Sequence, residues 1–238
     1  MTQFNLGKLF LIPSAIDQNN KNEILLDWQA KKIRHIKQFI VENEKAARSI
    51  LKEIKLHNPI QTLKLFKNSS STTIDEIEEM LSSIFCGEDM GLLSDSGIPC
   101  VADPGSKIVE YAHKNNIIIE PLIGPSSVIM ALMSSGFNGQ RFSFLGYAPI
   151  NKVEKDIFFK ELESKVRLFN ETQIFIETPY RNEQLLKDLI AGLNNQIKLC
   201  IASNLTSNEE KIVSMSIAEW KKITLPQLNK KPCIFLVN

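Results

Sequence analysis

The stretch from residue 89 to residue 127 constrains the fold more than any other part of this sequence. It reads DMGLLSDSGIPCVADPGSKIVEYAHKNNIIIEPLIGPSS. The apolar run Met90 to Leu93 predicts a buried strand of a parallel sheet, and a dense group of Ser, Asp, Gly and Pro residues follows it. The amphipathic stretch Ser106 to Asn115 predicts a helix, and the run Ile117 to Glu120 predicts a second strand. This order of elements indicates an α/β fold.

Two loops of this stretch are rich in small residues. The first is Ser94 to Pro99, after the buried strand, and the second is Gly124 to Ser127. In open α/β sheets small ligands bind where loops leave the carboxyl ends of strands, so these loops predict a ligand site. The alternative is that both are ordinary turns, which also use Gly, Asp and Ser. Neither matches the G-x-G-x-x-G dinucleotide fingerprint or the G-x-x-x-x-G-K-[ST] phosphate loop.

The rest of the chain continues the alternation of strands and helices. Apolar runs predict strands at 8–12, 39–41, 63–68, 141–147, 173–176, 198–202, 211–215 and 233–237. Helical patterns occupy 23–36, 74–86, 128–135, 151–166, 182–190 and 216–221, and on the first we expect Ile24, Trp28 and Ile33 to be buried. We expect one α/β domain over residues 1–122 and a second over 123–238, because two prolines and a glycine interrupt the pattern between them.

Composition excludes several classes of protein. The four cysteines show no metal-ligand spacing or disulfide framework, and the three histidines share no close spacing. No apolar run approaches the roughly 20 residues that span a bilayer. The amino-terminal apolar run lacks the preceding basic region of a signal peptide. We therefore expect a cytoplasmic protein with no metal site and no membrane partner.

The net charge of +1 is low for a dedicated nucleic-acid-binding protein, which is usually basic or carries a basic stripe. Positive charge is concentrated at residues 31–37, where the solvated face of a helix is the favoured explanation. Because phosphate neutralisation needs clustered Lys and Arg, the charge argues mildly against a large RNA footprint.

At its central motifs the chain resembles the tetrapyrrole (corrin/porphyrin) methylase superfamily of S-adenosylmethionine-dependent methyltransferases. LLSDSGIPCVADPG and PLIGPSSVIMAL carry the resemblance, and RFSFLGYAP and ETPYR extend it along the chain. Within the superfamily the chain is most similar to the bacterial branch that methylates ribose 2′-oxygens of small-subunit ribosomal RNA. The resemblance implies two α/β domains with a ligand cleft between them, S-adenosylmethionine as methyl donor without a metal, and a homodimer.

The candidate donor-binding residues come from the resemblance and from the chemistry of the loops. Ser94 and Gly97 are small enough to let a ligand approach the backbone, and Asp95 can accept hydrogen bonds from an amino group or a ribose. The alternative for Asp95 is a turn cap. The resemblance implicates the matching positions Asp95, Ile98, Ser126, Ser127, Tyr180, Ala202 and Pro232.

No catalytic residue is assigned. A hydroxyl acceptor benefits from a general base, and Glu42, Asp103 and Glu177 are candidates because each follows a predicted strand. The alternative for each is a helix cap or a salt bridge. Arg181 suits either a phosphate or carboxylate ligand or an ion pair with Glu177.

Three segments depart from the pattern of the ribosomal RNA branch. Asp17 and Gln18 stand where the branch has Gly-Asn, Asn43 to Ala47 replaces Asp-Thr-Arg-Thr-Thr, and Ser203-Asn204 replaces Arg-Glu. The acceptor is therefore open between RNA and a tetrapyrrole or other small molecule. A catalytically silent S-adenosylmethionine-binding protein of the same fold is the third possibility.

Overall fold

The computed structural model describes residues 6–17 and 25–238. The chain divides into two compact units, Met1–Pro125 (unit 1) and Ser126–Asn238 (unit 2), and each unit has its own five-stranded sheet. A compact unit is not by itself a domain that folds alone, so the predicted domain boundary after residue 122 stays a prediction. Gln18 and the predicted helical residues Glu23 and Ile24 lie outside the described residues.

The sheet of unit 1 is entirely parallel, with the strand order β3-β2-β4-β1-β5. Its central strand β4 is buried at every residue, as expected for a strand covered on both faces. The strands are β1 (Lys8–Ile12), β2 (Gln38–Val41), β3 (Lys64–Lys67), β4 (Met90–Leu93) and β5 (Ile118–Pro121).

Within the part of unit 1 that the structure describes, four helices cover this sheet, two on each face. They are α1 (Asp27–Ile33), α2 (Glu44–Ile54), α3 (Ile74–Leu81) and α4 (Ser106–Lys114). Side chains of α1 and α2 share one hydrophobic cluster with the sheet, and side chains of α3 and α4 share a second cluster that uses the alternate strand residues. The chain therefore covers one face first, and then reverses direction and covers the other.

Unit 2 has a mixed sheet with the strand order β6-β7-β10-β8-β9, in which only the β6–β7 pair is parallel. The strands are β6 (Phe142–Tyr147), β7 (Thr172–Ile176), β8 (Lys198–Ser203), β9 (Lys211–Ser216) and β10 (Cys233–Val237). Three helices, α6 (Lys152–Phe169), α7 (Asn182–Gly192) and α8 (Ile217–Trp220), pack in one cluster with the sheet, while α5 (Ser127–Ser135) contacts β8, β9 and β10.

Most predicted elements form within a few residues of their predicted bounds. Thr73 caps α3 through a capping box with Glu76, which explains why that helix starts where it does. The predicted helix 74–86 is α-helical only to Leu81 and continues as a short 3-10 helix. The expectation that Trp28 is buried is wrong, because its side chain is 50% exposed, whereas Ile33 is fully buried. Among the described residues, no helix is long and apolar enough to cross a membrane.

Candidate functional site

The carboxyl edge of the unit 1 sheet contains the point where the direction of the chain reverses. Strand β1 leads into α1 on one face, and its neighbour β4 leads into α4 on the other face. In parallel α/β sheets such a reversal leaves a crevice outside the strand ends, where ligands bind. The loops after β1 and β4 therefore border the candidate site of this unit.

Hydrogen bonds fasten these two loops to each other. The amide of Ser14 donates to the carbonyl of Gly97 over 2.8 Å, and the hydroxyl of Ser96 donates to the carbonyl of Ile16 over 3.2 Å. Ser14 is fully buried, yet its hydroxyl has no hydrogen-bond partner within the described part of the chain. A buried polar group without a partner is unusual, which makes this hydroxyl a candidate contact for a ligand. Ser14 was not among the predicted site residues, because the sequence marks it only by its place after Pro13 at the strand end.

Gly97 adopts a backbone conformation that favours glycine. Its φ is +77°, and a Cβ atom built on it would lie 3.1 Å from the carbonyl oxygen of Pro125. A side chain at this position is therefore strained and also crowded. The glycine keeps the loop close to the chain around Pro125, where the second small-residue loop ends unit 1.

Three carboxyl groups come together at the same edge of the sheet. Glu42 follows β2, Asp95 follows β4, and Asp103 lies further along the loop that leads to α4. Burial, followed by the charges of Asp103 and Asp95, raises the pKa of Glu42 to about 7. Burial also raises the pKa values of Asp95 and Asp103. Glu42 therefore exchanges a proton near neutral pH, as a general base requires.

Hydrogen bonds fix the orientation of these carboxyl groups. The backbone amide of Asp95 donates to the Glu42 carboxylate, and the backbone amide of Asn43 donates to the Asp95 carboxylate. The hydroxyl of Ser94 donates to Asp103 over 2.6 Å. Two of the three candidates for the general base, Glu42 and Asp103, are thus brought to one place by neighbouring strands.

Cys100 lies on the same loop, but burial, followed by the charges of Asp103 and Glu42, raises the pKa of its thiol to about 11. A thiol of this kind is protonated at neutral pH and is a poor nucleophile. The described residues contain no group of three or more His, Cys, Asp or Glu side chains arranged to hold a metal ion.

The candidate residues of unit 2 occupy two places. Ser126 caps α5 by accepting a hydrogen bond from the amide of Ile129, and Ser127 is the first residue of that helix. Tyr180, Ala202 and Pro232 belong to the edge where β7 and β8 end and β10 begins. The Asn204 amide donates to the Pro232 carbonyl over 3.0 Å, and Tyr180 is 73% exposed. Tyr180 can therefore contact a ligand without rearrangement of the core.

Glu177, the third candidate for a general base, is held in an ion pair. Its carboxylate accepts from Arg181 over 2.5 Å and from the backbone amide of Thr178 over 2.6 Å. Burial opposes ionisation of Glu177, but the hydrogen bonds and charge of Arg181 and the Thr178 amide outweigh it and lower the pKa. A carboxylate with a lowered pKa and two donors is a weak base, which favours a structural role for this pair.

Two of the residues that depart from the ribosomal RNA branch, Asn43 and Ser203, make local hydrogen bonds here. The side chain of Asn43 caps α2 by accepting from the amides of Lys45 and Ala46. The hydroxyl of Ser203 donates to the carbonyl of Lys211 over 3.1 Å, and Asn204 has a φ of +49°. Asp17 lies in the loop after β1, beside Ile16.

Comparison with known proteins gives the family of this chain and the names of similar proteins. The family model of the tetrapyrrole (corrin/porphyrin) methylases matches residues 23–221. Ribosomal RNA small subunit methyltransferase I of Hydrogenobaculum sp. (strain Y04AAS1) is 29% identical over 89% of this chain and 86% of its own length. The protein of the same name from Thermotoga maritima is 26% identical over 91% of this chain and 93% of its own length.

Two solved structures share the fold at low identity. The methyltransferase CobJ aligns with a TM-score of 0.63 and 15% identity over 97% of this chain and 93% of its own. The uroporphyrin III C-methyltransferase of Thermus thermophilus aligns with a TM-score of 0.56 and 12% identity over 98% of this chain and 97% of its own. These likenesses support the predicted fold class.

Proposed function

This chain belongs to the tetrapyrrole (corrin/porphyrin) methylase family and is a methyltransferase, and we propose that it transfers a methyl group from S-adenosylmethionine to a ribose 2′-hydroxyl of small-subunit ribosomal RNA. The observation that supports RNA as the acceptor is the similarity to ribosomal RNA small subunit methyltransferase I proteins over most of the chain. The cofactor-binding and catalytic roles below are part of the proposal.

The residues at the carboxyl edge of unit 1 fit the proposed donor. S-adenosylmethionine, when bound, supplies a methyl group on a positively charged sulfur. The carboxylate of Asp95 accepts hydrogen bonds from amino or ribose hydroxyl groups, the orphaned Ser14 hydroxyl offers a further partner, and Gly97 leaves the backbone open. Ser94 and Ile98 complete the proposed contacts of unit 1. The implicated positions of unit 2, Ser126, Ser127, Tyr180, Ala202 and Pro232, stay predictions.

Glu42 is the general base in this proposal. Its pKa of about 7 leaves much of the carboxyl ionised at neutral pH, while keeping it basic enough to accept a proton. The acceptor hydroxyl gives its proton to Glu42 as its oxygen gains the methyl group. The Asp95 amide keeps one carboxylate oxygen in place. Asp103 already accepts a hydrogen bond from the Ser94 hydroxyl, and Glu177 is paired with Arg181. Glu42 is therefore the favoured candidate for the general base.

The proposed assembly is a cytoplasmic homodimer, following the resemblance. The apolar stretch Val128 to Met133 of α5 is the candidate interface. Val128 and Leu132 are in fact buried within unit 2, whereas Ile129 and Met133 are 47% and 79% exposed. A dimer would therefore use only the exposed side of α5.

The test is transfer of a labelled methyl group from S-adenosylmethionine to unmodified small-subunit ribosomal RNA transcribed in vitro. A tetrapyrrole substrate and a small-molecule extract serve as the other acceptors. Label in the RNA, at a 2′-oxygen, supports the proposal. Label only in a small molecule would show that the acceptor is a small molecule and not RNA. Binding of S-adenosylhomocysteine without methyl transfer to any acceptor would identify a catalytically silent binding protein.

A further inference from the structure

A pocket of about 420 Å³ lies at the carboxyl edge of unit 1, beyond the residues assigned to the donor. It is lined by the loop after β3, including Asn68, Ser69 and Thr72, and by residues 102–108, which lead into α4. Pockets of a few hundred Å³ suit small ligands or single groups of a larger one. Its only residue among the candidates of the site described above is Asp103.

Asn68 contributes a buried amide without a partner to this pocket. The residue is only 4% exposed, and its Nδ2 atom makes no hydrogen bond to the described residues. The backbone around it is firmly held, because the backbone N–H of Asn68 donates to the carbonyl of Val41 over 2.8 Å and the backbone N–H of Ser69 donates to the Thr72 hydroxyl over 2.9 Å. Leaving a buried donor unpaired costs stability, so the loop holds Asn68 in a position that a ligand acceptor would satisfy.

The amino terminus of α4 supplies further donors. Its N-cap is Gly105, so no side chain caps the first turn. The first amides of a helix lack intrahelical partners and carry the positive end of the helix dipole. Gly105 has a φ of +145°, and a Cβ atom there would lie 2.8 Å from the sulfur of Cys100. Packing against Cys100 therefore requires a glycine here, and the helix start that it leaves without a side-chain cap can face an anion.

The charges of the pocket narrow the class of ligand. Lys107 and the start of α4 favour an anion, whereas the carboxyl group of Asp103 repels one and accepts a hydrogen bond from a hydroxyl. A free phosphate satisfies only the first set of groups. A ribonucleotide satisfies both, since it carries a phosphate and ribose hydroxyls.

We propose that this pocket binds one nucleotide of the acceptor RNA, with a phosphate against the start of α4 and the Asn68 amide and a ribose hydroxyl at Asp103. This assignment rests on the proposed function, because it names the part of the protein that holds the acceptor. The Asn68 amide then positions the RNA without taking part in methyl transfer.

Two variants of Asn68 test this assignment. Asn68→Asp has the same shape but brings a carboxylate against the phosphate, and Asn68→Ala removes the amide. Asn208→Asp and Asn208→Ala make the same changes at an exposed asparagine of unit 2. For each protein, filter binding measures affinity for labelled small-subunit ribosomal RNA, calorimetry measures affinity for S-adenosylhomocysteine, and thermal denaturation measures stability.

We expect Asn68→Asp to weaken RNA binding at least about tenfold and Asn68→Ala about three- to tenfold, as for a lost hydrogen bond to a charged group. S-adenosylhomocysteine affinity should stay within about twofold in both, and the melting temperature of Asn68→Ala should not fall, because the amide has no internal partner. The Asn208 variants should match the parent in all three measurements.

Unchanged RNA affinity in both Asn68 variants, with RNA methylation intact, would overturn the pocket assignment alone. A melting temperature that falls in Asn68→Ala without loss of RNA affinity would show a structural role and overturn it as well. If the parent itself neither binds nor methylates RNA, the proposed function fails and the pocket assignment fails with it.

Discussion

The backbone amide of Asp95 donates a hydrogen bond to the carboxylate of Glu42, and so fastens the loop after β4 to the loop after β2. The reciprocal contact runs from the backbone amide of Asn43 to the carboxylate of Asp95. Two acidic side chains are thus held next to each other by donors from neighbouring loops. Burial, followed by the charges of Asp103 and Asp95, raises the pKa of Glu42 and outweighs the opposing hydrogen bond from the Asp95 amide, which links the geometry of the sheet edge to the proposed proton transfer.

The first prediction concerns Glu42→Gln and catalysis. Removing the base should lower kcat about 100-fold or more, in the range typical of general bases, while S-adenosylhomocysteine affinity changes little. In the parent, kcat/KM should fall as the pH drops below about 7, because Glu42 is then protonated. Initial rates over pH 5.5 to about 9 measure both effects. Glu44→Gln, an exposed neighbour in α2, is the control and should keep the parent profile. If Glu42→Gln has the same kcat as the parent, Glu42 is not the general base.

The second prediction concerns Glu42→Gln and stability. The pKa of Glu42 is raised in the folded protein, so the folded state holds the proton more tightly than the unfolded chain does. The free energy of unfolding therefore falls as the pH rises from the ordinary pKa of 4.5 to the raised pKa of about 7. Gln avoids this loss. After discounting for solvent exposure, we expect the variant to melt about 2 to 4 °C above the parent at pH 8, for roughly 1 kcal/mol, and level with it near pH 4.5. Calorimetry at both pH values measures the melting temperatures of the variant and the parent. Equal melting temperatures of the two proteins at pH 8 would contradict the raised pKa of Glu42.

The third prediction concerns Gly97→Val. The strain of a β-branched residue at positive φ, together with the contact to Pro125, should destabilise the protein by about 1–3 kcal/mol, which a domain stable by about 5–15 kcal/mol survives. Binding of S-adenosylhomocysteine should be lost, because the side chain occupies the proposed ligand space. Thermal shift with and without ligand measures both quantities.

The matched control for Gly97 is Gly139→Val. A Cβ atom at Gly139 meets nothing within 4 Å, and its φ is not positive. This variant should fold and bind ligand like the parent. If Gly97→Val is stabilised by ligand as much as the parent is, then the loop is a structural turn and the donor binds elsewhere.

The fourth prediction concerns the ion pair of unit 2. Arg181→Ala leaves the carboxylate of Glu177 buried without its charged partner, and should lower the stability of the protein. The pKa of Glu177 is lowered, so this stabilisation is present above the ordinary carboxyl pKa and is lost as the pH falls through the lowered one. Urea unfolding at pH 7 and pH 3 measures it. If Arg181→Ala and the double variant Arg181→Ala/Glu177→Gln are equally stable at pH 7, the buried charge is not the cause.

The sequence predicted the helices and strands around the site well, because the spacing of hydrophobic residues and the positions of turn residues are local signals. The strand Met90 to Leu93 and the helix from Ser106 are examples. Trp28 was misjudged, because the helical period identifies a face but not how far the sheet covers it.

The chemistry of the site was less accessible from the sequence. Glu42 and Asp103 are 61 positions apart, and their proximity depends on the order of β2 and β4 in the sheet. The raised pKa of Glu42 and the orphaned amide of Asn68 both depend on burial and on which donors are already used. A residue pattern records neither property, so both required the structure.

The most direct test of the central claim is mass spectrometry of nucleosides from small-subunit ribosomal RNA of cells that carry or lack this protein. Cells that lack it should lose one 2′-O-methylated nucleoside. Complementation with the parent protein should restore the nucleoside, and complementation with Glu42→Gln should not. Identical nucleoside profiles in cells with and without the protein would contradict the assignment of small-subunit ribosomal RNA as its acceptor.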